Sequence, residues 1–312
     1  MLSRTADSLF WMNRYMERAE NILRLIKTNY TLSLDKHVNG NLNWKGVLEF
    51  YTTLDEEHIS ADANKTEAAL YHIVLDEVNN NSLKVIVNRA RENARVIQDY
   101  ITKEVWEQIN HLYHSVNNPM FENNLRLNAP EVIDSLTNNL IMYTGVIEVT
   151  MPRGMGWSFM NLGKLIERSL TIIELTDIEF RQINYDLNDQ QDILHWRYLL
   201  FSLSGYELNL KKYRSQNYNQ NVLHQVLFNQ DFNRSLYYSL SRIERNLNNI
   251  VNESNYPGNV SLLHSFGRLF SMVRYTDLER FDDSGLKDFF IEVKEHMNSF
   301  TRLLEHNFFS YS

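Results

Sequence analysis

The sequence predicts an all-α protein, a multi-helix bundle of long antiparallel helices, and three observations carry that reading. The chain of 312 residues holds only four prolines and ten glycines, where average usage would give roughly 16 and 22, so little of the turn punctuation of a β-rich fold is present. Apolar residues recur at alternating steps of three and four over long stretches, the spacing of one face of an α-helix. At 43% hydrophobic, the chain can build one large core or two coupled ones, near the upper size limit of a single domain.

The first helix runs from Ser3 to about Thr31, with Thr5, Leu9, Met12, Met16, Ala19, Leu23, Ile26 and Tyr30 as its seam. Ser82 is a good N-cap for a second, whose inward residues Leu83, Ile86, Ala90, Ala94, Ile97 and Ile101 predict a helix that continues, kinked, to about Val116. Asn117-Asn118-Pro119 ends that run. Asn128-Ala129-Pro130 opens the next, because proline in a first turn gives up an N–H that has no helical partner. Met151 to Gly156 is the least helical stretch, and a long helix follows from about Trp157. Two or three further helices are expected before a turn at Tyr256-Pro257-Gly258, and two more close the chain.

An internal likeness appears when Glu17-Arg18 is laid on Glu167-Arg168, an offset of 167 − 17 = 150. Ser8, Ile22 and Leu25 then match Ser158, Ile172 and Leu175, and the apolar seams superpose. That pattern predicts a single domain over 1–312 containing two related halves, 1–150 and 151–312.

Charge and composition exclude several functions. The net charge of −8 opposes attraction to a phosphate backbone, so no nucleic-acid role is expected. Zero cysteines exclude disulfides, thiolate catalysis and Cys-based metal sites. Arg4 and Asp7 stand where a signal peptide needs its apolar core, and no stretch approaches the roughly 18 apolar residues of a membrane span. The expected location is cytoplasmic, with no membrane partner.

The sequence carries little that names a reaction. On a helical wheel Arg18 lies at the margin of the apolar arc, while Glu17 lies on the opposite side near Arg14 and Asn21. Glu17 with Arg14 and Glu20 with Arg24 read as ordinary helical pairs. Glu107, His111 and His114 share one helical face and would converge on a metal, but no further ligand is identifiable and a solvated face explains them better. No metal and no cofactor is therefore assigned. Gly154-Met155-Gly156 lacks the third glycine of a dinucleotide fingerprint, and Gly163-Lys164 lacks the phosphate-loop context. Asp282-Asp283-Ser284-Gly285-Leu286 reads as a turn, and Lys211-Lys212-Tyr213-Arg214 as a solvated helix end.

The stretch Leu2 to Asn21, with its Met16-Glu17-Arg18-Ala19-Glu20 core, closely resembles the start of the bacterial alpha-E family, helical proteins named for a Glu-Arg motif. Ala90 to Arg95 with Glu104 to Asn110, and Gly156 to Arg168, resemble the family's next signatures, Phe232-Asn-Arg-Ser-Leu236 a fourth, and Gly285 onward with Asn307-Phe-Phe its terminal helix. Four residues depart from the pattern: Asn13 stands for Gly, Lys164 for Arg, Leu170 for an acidic residue and Asn233 for Pro. The resemblance implies an all-α protein encoded beside circularly permuted ATP-grasp ligases and transglutaminase-like proteins, which would be its partners in making or modifying peptide-like amides. The leading expectation is a non-catalytic helical accessory or scaffold protein for an ATP-grasp-type amide ligase. The alternative is an enzyme of the same pathway, with Glu17, Glu20 and Glu167 as acid–base groups and Arg14, Arg18 and Arg168 as anion clamps. The candidate polar site comprises Arg14, Glu17, Arg18, Glu20, Asn21, Arg89, Glu92, Asn93, Arg95, Glu167 and Arg168.

Overall fold

The computed structural model describes residues 2–33, 44–188, 191, 193–213, 217–254, 258–278, 281 and 283–309. Among them every regular element is helical. Tyr256, Pro257, Arg214 and Asp282, named above, lie outside the described residues. The chain forms two compact units, one of Trp11–Arg153 and the other of Met1–Phe10 with Gly154–Ser312. The boundary at Arg153 falls close to the expected midpoint, with the difference that the first turns of the N-terminal helix belong to the unit made by the second half.

The Trp11–Arg153 unit takes most of α1 (Ser3–Ser33), followed by three short helices, α2 (Lys45–Tyr51), α3 (Glu56–Asp62) and α4 (Thr66–Leu70), and a π-helical turn over Tyr71–Leu75. Then come α5 (Leu83–Val96), α6 (Lys103–Val116), α7 (Phe121–Leu127) and α8 (Ala129–Thr150). Helix α6 packs against both α5 and α8. The single kinked helix expected from Ser82 to Val116 is thus two helices. Ile97 leaves helical geometry at φ −115° and ψ 25°, a 3₁₀ turn spans Gln98–Tyr100, and Thr102 starts α6 by accepting the Val105 N–H at 3.4 Å. Threonine competes for the backbone in this way at helix starts. Ile97 and Ile101 stay buried across the break, so the apolar period survives although the helix does not.

The other unit is built on α9 (Met155–Gln182), then α10 (Arg197–Ser202), α11 (Tyr206–Lys212), α12 (Tyr218–Leu223) and a second π-helical turn over His224–Phe228. Helices α13 (Leu236–Glu253), α14 (Asn259–Arg274) and α15 (Asp283–Phe308) complete it. Helix α9 packs mainly against α13 and α15, and α14 against α15. Met155 and Gly156 belong to α9, and Asp283 begins α15, where the sequence reading put non-helical chain. The closing Asn307-Phe308-Phe309 anchors the start of α9: both rings pack on Phe159, at 5.4 and 6.0 Å, and Phe309 also meets Phe10 at 5.1 Å. The Asn307 amide donates to the Gly258 carbonyl at 3.1 Å, and a Cβ at Gly258 would run into that amide, so a larger residue there has to displace the Asn307 side chain.

The same series of local devices occurs in both units. Trp44 and Trp196, separated by 196 − 44 = 152, sit at the N-cap positions of α2 and α10. Their indole N–H groups reach Thr66 Oγ1 at 3.2 Å and Asn219 Oδ1 at 2.9 Å. Each π turn ends on a residue, Asp76 or Asn229, whose Oδ1 accepts the N–H two positions on at 2.9 Å, separated by 229 − 76 = 153. Ser82 and Ser235, separated by 235 − 82 = 153, then cap α5 and α13.

Asn13, one of the departures, has a structural role: its Oδ1 accepts the Tyr143 hydroxyl at 2.5 Å, and both residues are buried. Burial raises the Tyr143 pKa, which keeps the hydroxyl a donor. Asn13→Ala and Tyr143→Phe should each lose about 1–3 kcal/mol, because each leaves the other group buried without its partner. The double variant should lose clearly less than the sum in urea unfolding; strict additivity would refute the coupling.

Candidate functional site

The Glu-Arg motif of α1 is more deeply enclosed than its helical wheel implies. Glu17 is 3% exposed and Asn21 4%, whereas the sequence reading placed both away from the core seam. The correction has a simple cause: α1 is buried on more than one face, with a polar stripe of Asn13, Glu17, Asn21 and Thr28 beside its apolar seam. Such groups are stable in a core only when hydrogen-bonded or ion-paired. Glu20 and Arg24 form the expected pair at 2.5 Å, and the Arg14 guanidinium lies 4.7 Å over the Trp11 ring.

Arg18 and Arg89 converge on the loop ahead of α5. Arg18 Nη1 donates to Asn81 Oδ1 at 2.9 Å, and Arg89 Nη2 donates to Asn80 Oδ1 at 2.5 Å. Asn93 donates to the Arg89 carbonyl at 2.9 Å, one turn back on α5. Glu92 and Arg95, by contrast, form an exposed pair at 2.7 Å, with Arg91 on the other side of Glu92 at 2.9 Å. Arg91 also stacks over Trp106 and Tyr113.

In the other unit Glu167 and Arg168 are both buried, and Arg168 Nη1 donates to the Asn233 carbonyl at 3.3 Å, in the loop ahead of α13. Arg234, next in that loop, is buried as well. Each unit therefore ties the arginine of a Glu-Arg helix to the loop that starts a Ser-capped helix. Chemically, this places guanidinium forks on the same helices as buried carboxylates, and such forks suit planar recognition of carboxylates or amides.

The sequence reading missed the loop residues Asn80, Asn81 and Arg234. The signal was present at offset 153 rather than 150: Leu70, Ser82, Leu83, Arg89 and Asn93 fall opposite Leu223, Ser235, Leu236, Arg242 and Asn246. Asn246 donates to the Arg242 carbonyl at 2.7 Å, as Asn93 does to Arg89.

A Glu-Arg pair of this kind is what one known family is described by. The model of Alpha-E, "a predicted alpha-helical domain with a conserved ER motif", matches residues 1–309. The chain belongs to the Alpha-E family. Relatives include uncharacterised proteins of Mycobacterium bovis (strain ATCC BAA-935 / AF2122/97) and Mycobacterium tuberculosis (strain CDC 1551 / Oshkosh), each 24% identical over 272 residues. These alignments take in 80% of this Alpha-E chain but 30% of each relative, so the chain matches less than a third of their length. No solved structure matches it.

Among the described residues, no group of three His, Cys, Asp or Glu side chains is placed to hold a metal ion. Glu107, His111 and His114 are exposed, and Glu107 pairs with Lys103 at 3.5 Å. No helix among them is long and apolar enough to cross a membrane.

The geometry also accounts for the Alpha-E departure at Asn233. Arg168 uses a carbonyl there, which proline carries equally, whereas Arg18 uses the side chain of Asn81. Asn233→Pro should change stability by less than about 1 kcal/mol. Asn81→Ala, which removes an acceptor for a charged donor, should cost about 1.5–3 kcal/mol. Equal costs in thermal unfolding would refute the distinction.

Proposed function

We propose that this Alpha-E protein is a helical accessory or scaffold protein that acts with an ATP-grasp-type amide ligase in making or modifying a peptide-like product, with its Glu-Arg helices and their loops as the working polar site. The observation that supports the reading is the size of the relatives: the matched region is 30% of their length, so there an Alpha-E region is joined to a larger stretch of further polypeptide. A helical region joined to further polypeptide in its relatives fits a role exercised together with another protein region. The recurring devices of the two units support a further reading, that the chain contains two halves of common origin.

The test is affinity purification from the native host with mass spectrometry of what is retained, run in parallel on Arg14→Lys and Glu17→Gln. An ATP-grasp-type ligase should be recovered with the unaltered chain and lost from Arg14→Lys, the less buried position, at unchanged thermal stability. Absence of any such ligase overturns the proposal, and turnover of an amide-forming or amide-cleaving substrate by the isolated chain would replace it with the enzymatic reading.

A further inference from the structure

Within the Trp11–Arg153 unit, a cavity of about 890 Å³ opens between the end of α1, the α4 helix with its π turn, and the junction of α7 with α8. That volume is in the range of whole small-molecule sites, roughly 300–1,000 Å³. Its apolar lining includes Leu70, Leu75 and Leu125.

In the other unit aromatic side chains stand at the corresponding place. Leu75 at the end of the first π turn corresponds to Phe228 at the end of the second, an offset of 228 − 75 = 153. The Phe228 ring lies 6.1 Å from Phe289 at the start of α15, and Phe289 lies 5.2 Å from Phe281 and 6.1 Å from Phe290. Where the second unit packs an aromatic cluster between its π turn and its last helix, the first presents Leu75 and Ala129 and leaves space.

Four charged side chains border that space: Lys65 and Arg126, and Glu67 and Glu122. Lys65 is held by Asp62 at 3.1 Å. The other three have no ion-pair or hydrogen-bond partner among the described residues. Glu122 and Arg126 are one turn apart on α7, about 5–6 Å between Cβ atoms, and do not close on each other. His72 also lines the cavity, but its ring nitrogens face Asp62 at 3.4 Å and Asp76 at 3.5 Å. An exposed arginine and two exposed carboxylates at the rim of an apolar floor match a ligand that carries both charges on an apolar body.

We propose that this cavity binds a zwitterionic α-amino acid or short peptide with an aromatic side chain. The ring takes the place that Phe228 and Phe289 fill in the other unit, the carboxylate meets Arg126, and the ammonium meets Glu122 and Glu67. The site goes beyond the ligase partnership and does not depend on it, since binding is read on the isolated chain.

The experiment is calorimetric titration of the full chain with the dipeptide Phe-Phe, its C-terminal amide and its N-acetyl form. One dipeptide should bind per chain, with either blocked form at least tenfold weaker. Leu75→Phe, which fills the cavity as the other unit does, should abolish binding. The exposed substitutions Arg126→Met and Glu122→Gln should each weaken binding at least tenfold at unchanged melting temperature, which keeps the test decisive if Leu75→Phe does not fold. No binding at millimolar dipeptide, or binding that ignores the blocked ends and the two exposed substitutions, overturns the proposal. Absence of dipeptide binding by the unaltered chain, with ligase recovery intact, would refute this site alone.

Discussion

Between pH 5 and pH 8, the stability of Glu179→Gln relative to the unaltered protein should rise by about 2–3 kcal/mol. Glu179 is buried on α9, and burial pushes its carboxyl from the ordinary 4.5 up to about 7. Its folded pKa therefore lies above its unfolded one. Below the unfolded value the group is protonated in both states and costs nothing. As pH rises from 4.5 towards 7, the unfolded chain ionises while the folded chain still holds its proton, so the folded state loses ground. At about 1.36 kcal/mol per unit of pKa difference, the loss approaches about 3.4 kcal/mol and levels off above the folded pKa. Glutamine does not titrate, and comparing the two proteins cancels every other group. Denaturant midpoints at the two pH values measure the difference; parallel stabilities would show that Glu179 is ionised in the folded protein.

Trp196→Ala should cost about 3–5 kcal/mol, the range for deleting a large aromatic from a core. Trp196 is fully buried, its ring lies 4.5 Å from Phe180, and its indole N–H donates at 2.9 Å to Asn219 Oδ1. Asn219 passes the connection on to the Asp186 carbonyl at 3.0 Å, so one side chain ties together three segments. Trp196→Phe should recover part of the packing and still lose about 1–3 kcal/mol, because it removes the buried hydrogen bond from the indole N–H to Asn219. The matching change at Trp44 should be milder: that ring is 7% exposed and its bond to Thr66 is 3.2 Å. Urea unfolding of the two phenylalanine variants tests the asymmetry, and equal losses would contradict it.

The legible parts of this fold were those long enough to repeat. Helices α1, α8 and α9 run 31, 22 and 28 residues, many turns of consistent pattern, and their positions followed from apolar spacing and from Pro130 and Gly154. Helices α2, α3 and α11 have seven residues each, about two turns, in which a period of 3.6 cannot be told from chance. The break at Ile97 was invisible for a different reason, since both Ile97 and Ile101 remain in the core on either side of it. At the site, Glu17 and Arg18 were legible as a motif, but the wheel assumes one buried face and α1 has more. Arg168 was found, whereas its acceptor was not: a backbone carbonyl leaves no trace in residue type.

The short helices carry a consequence for motion. Isolated helices below about 12–15 residues are marginal in water, so α2 to α4 and α10 to α12 persist only through what they rest on. Each set is followed by a π turn and an Asx-type turn rather than by continuous α-helix. Their helices are expected to exchange amide protons sooner than the longer α5 and α13, which hydrogen exchange would check. The wall of the cavity formed by α4 and its π turn belongs to the first of these sets, so a ligand held against that wall is expected to slow the segment's exchange as well as occupy the site.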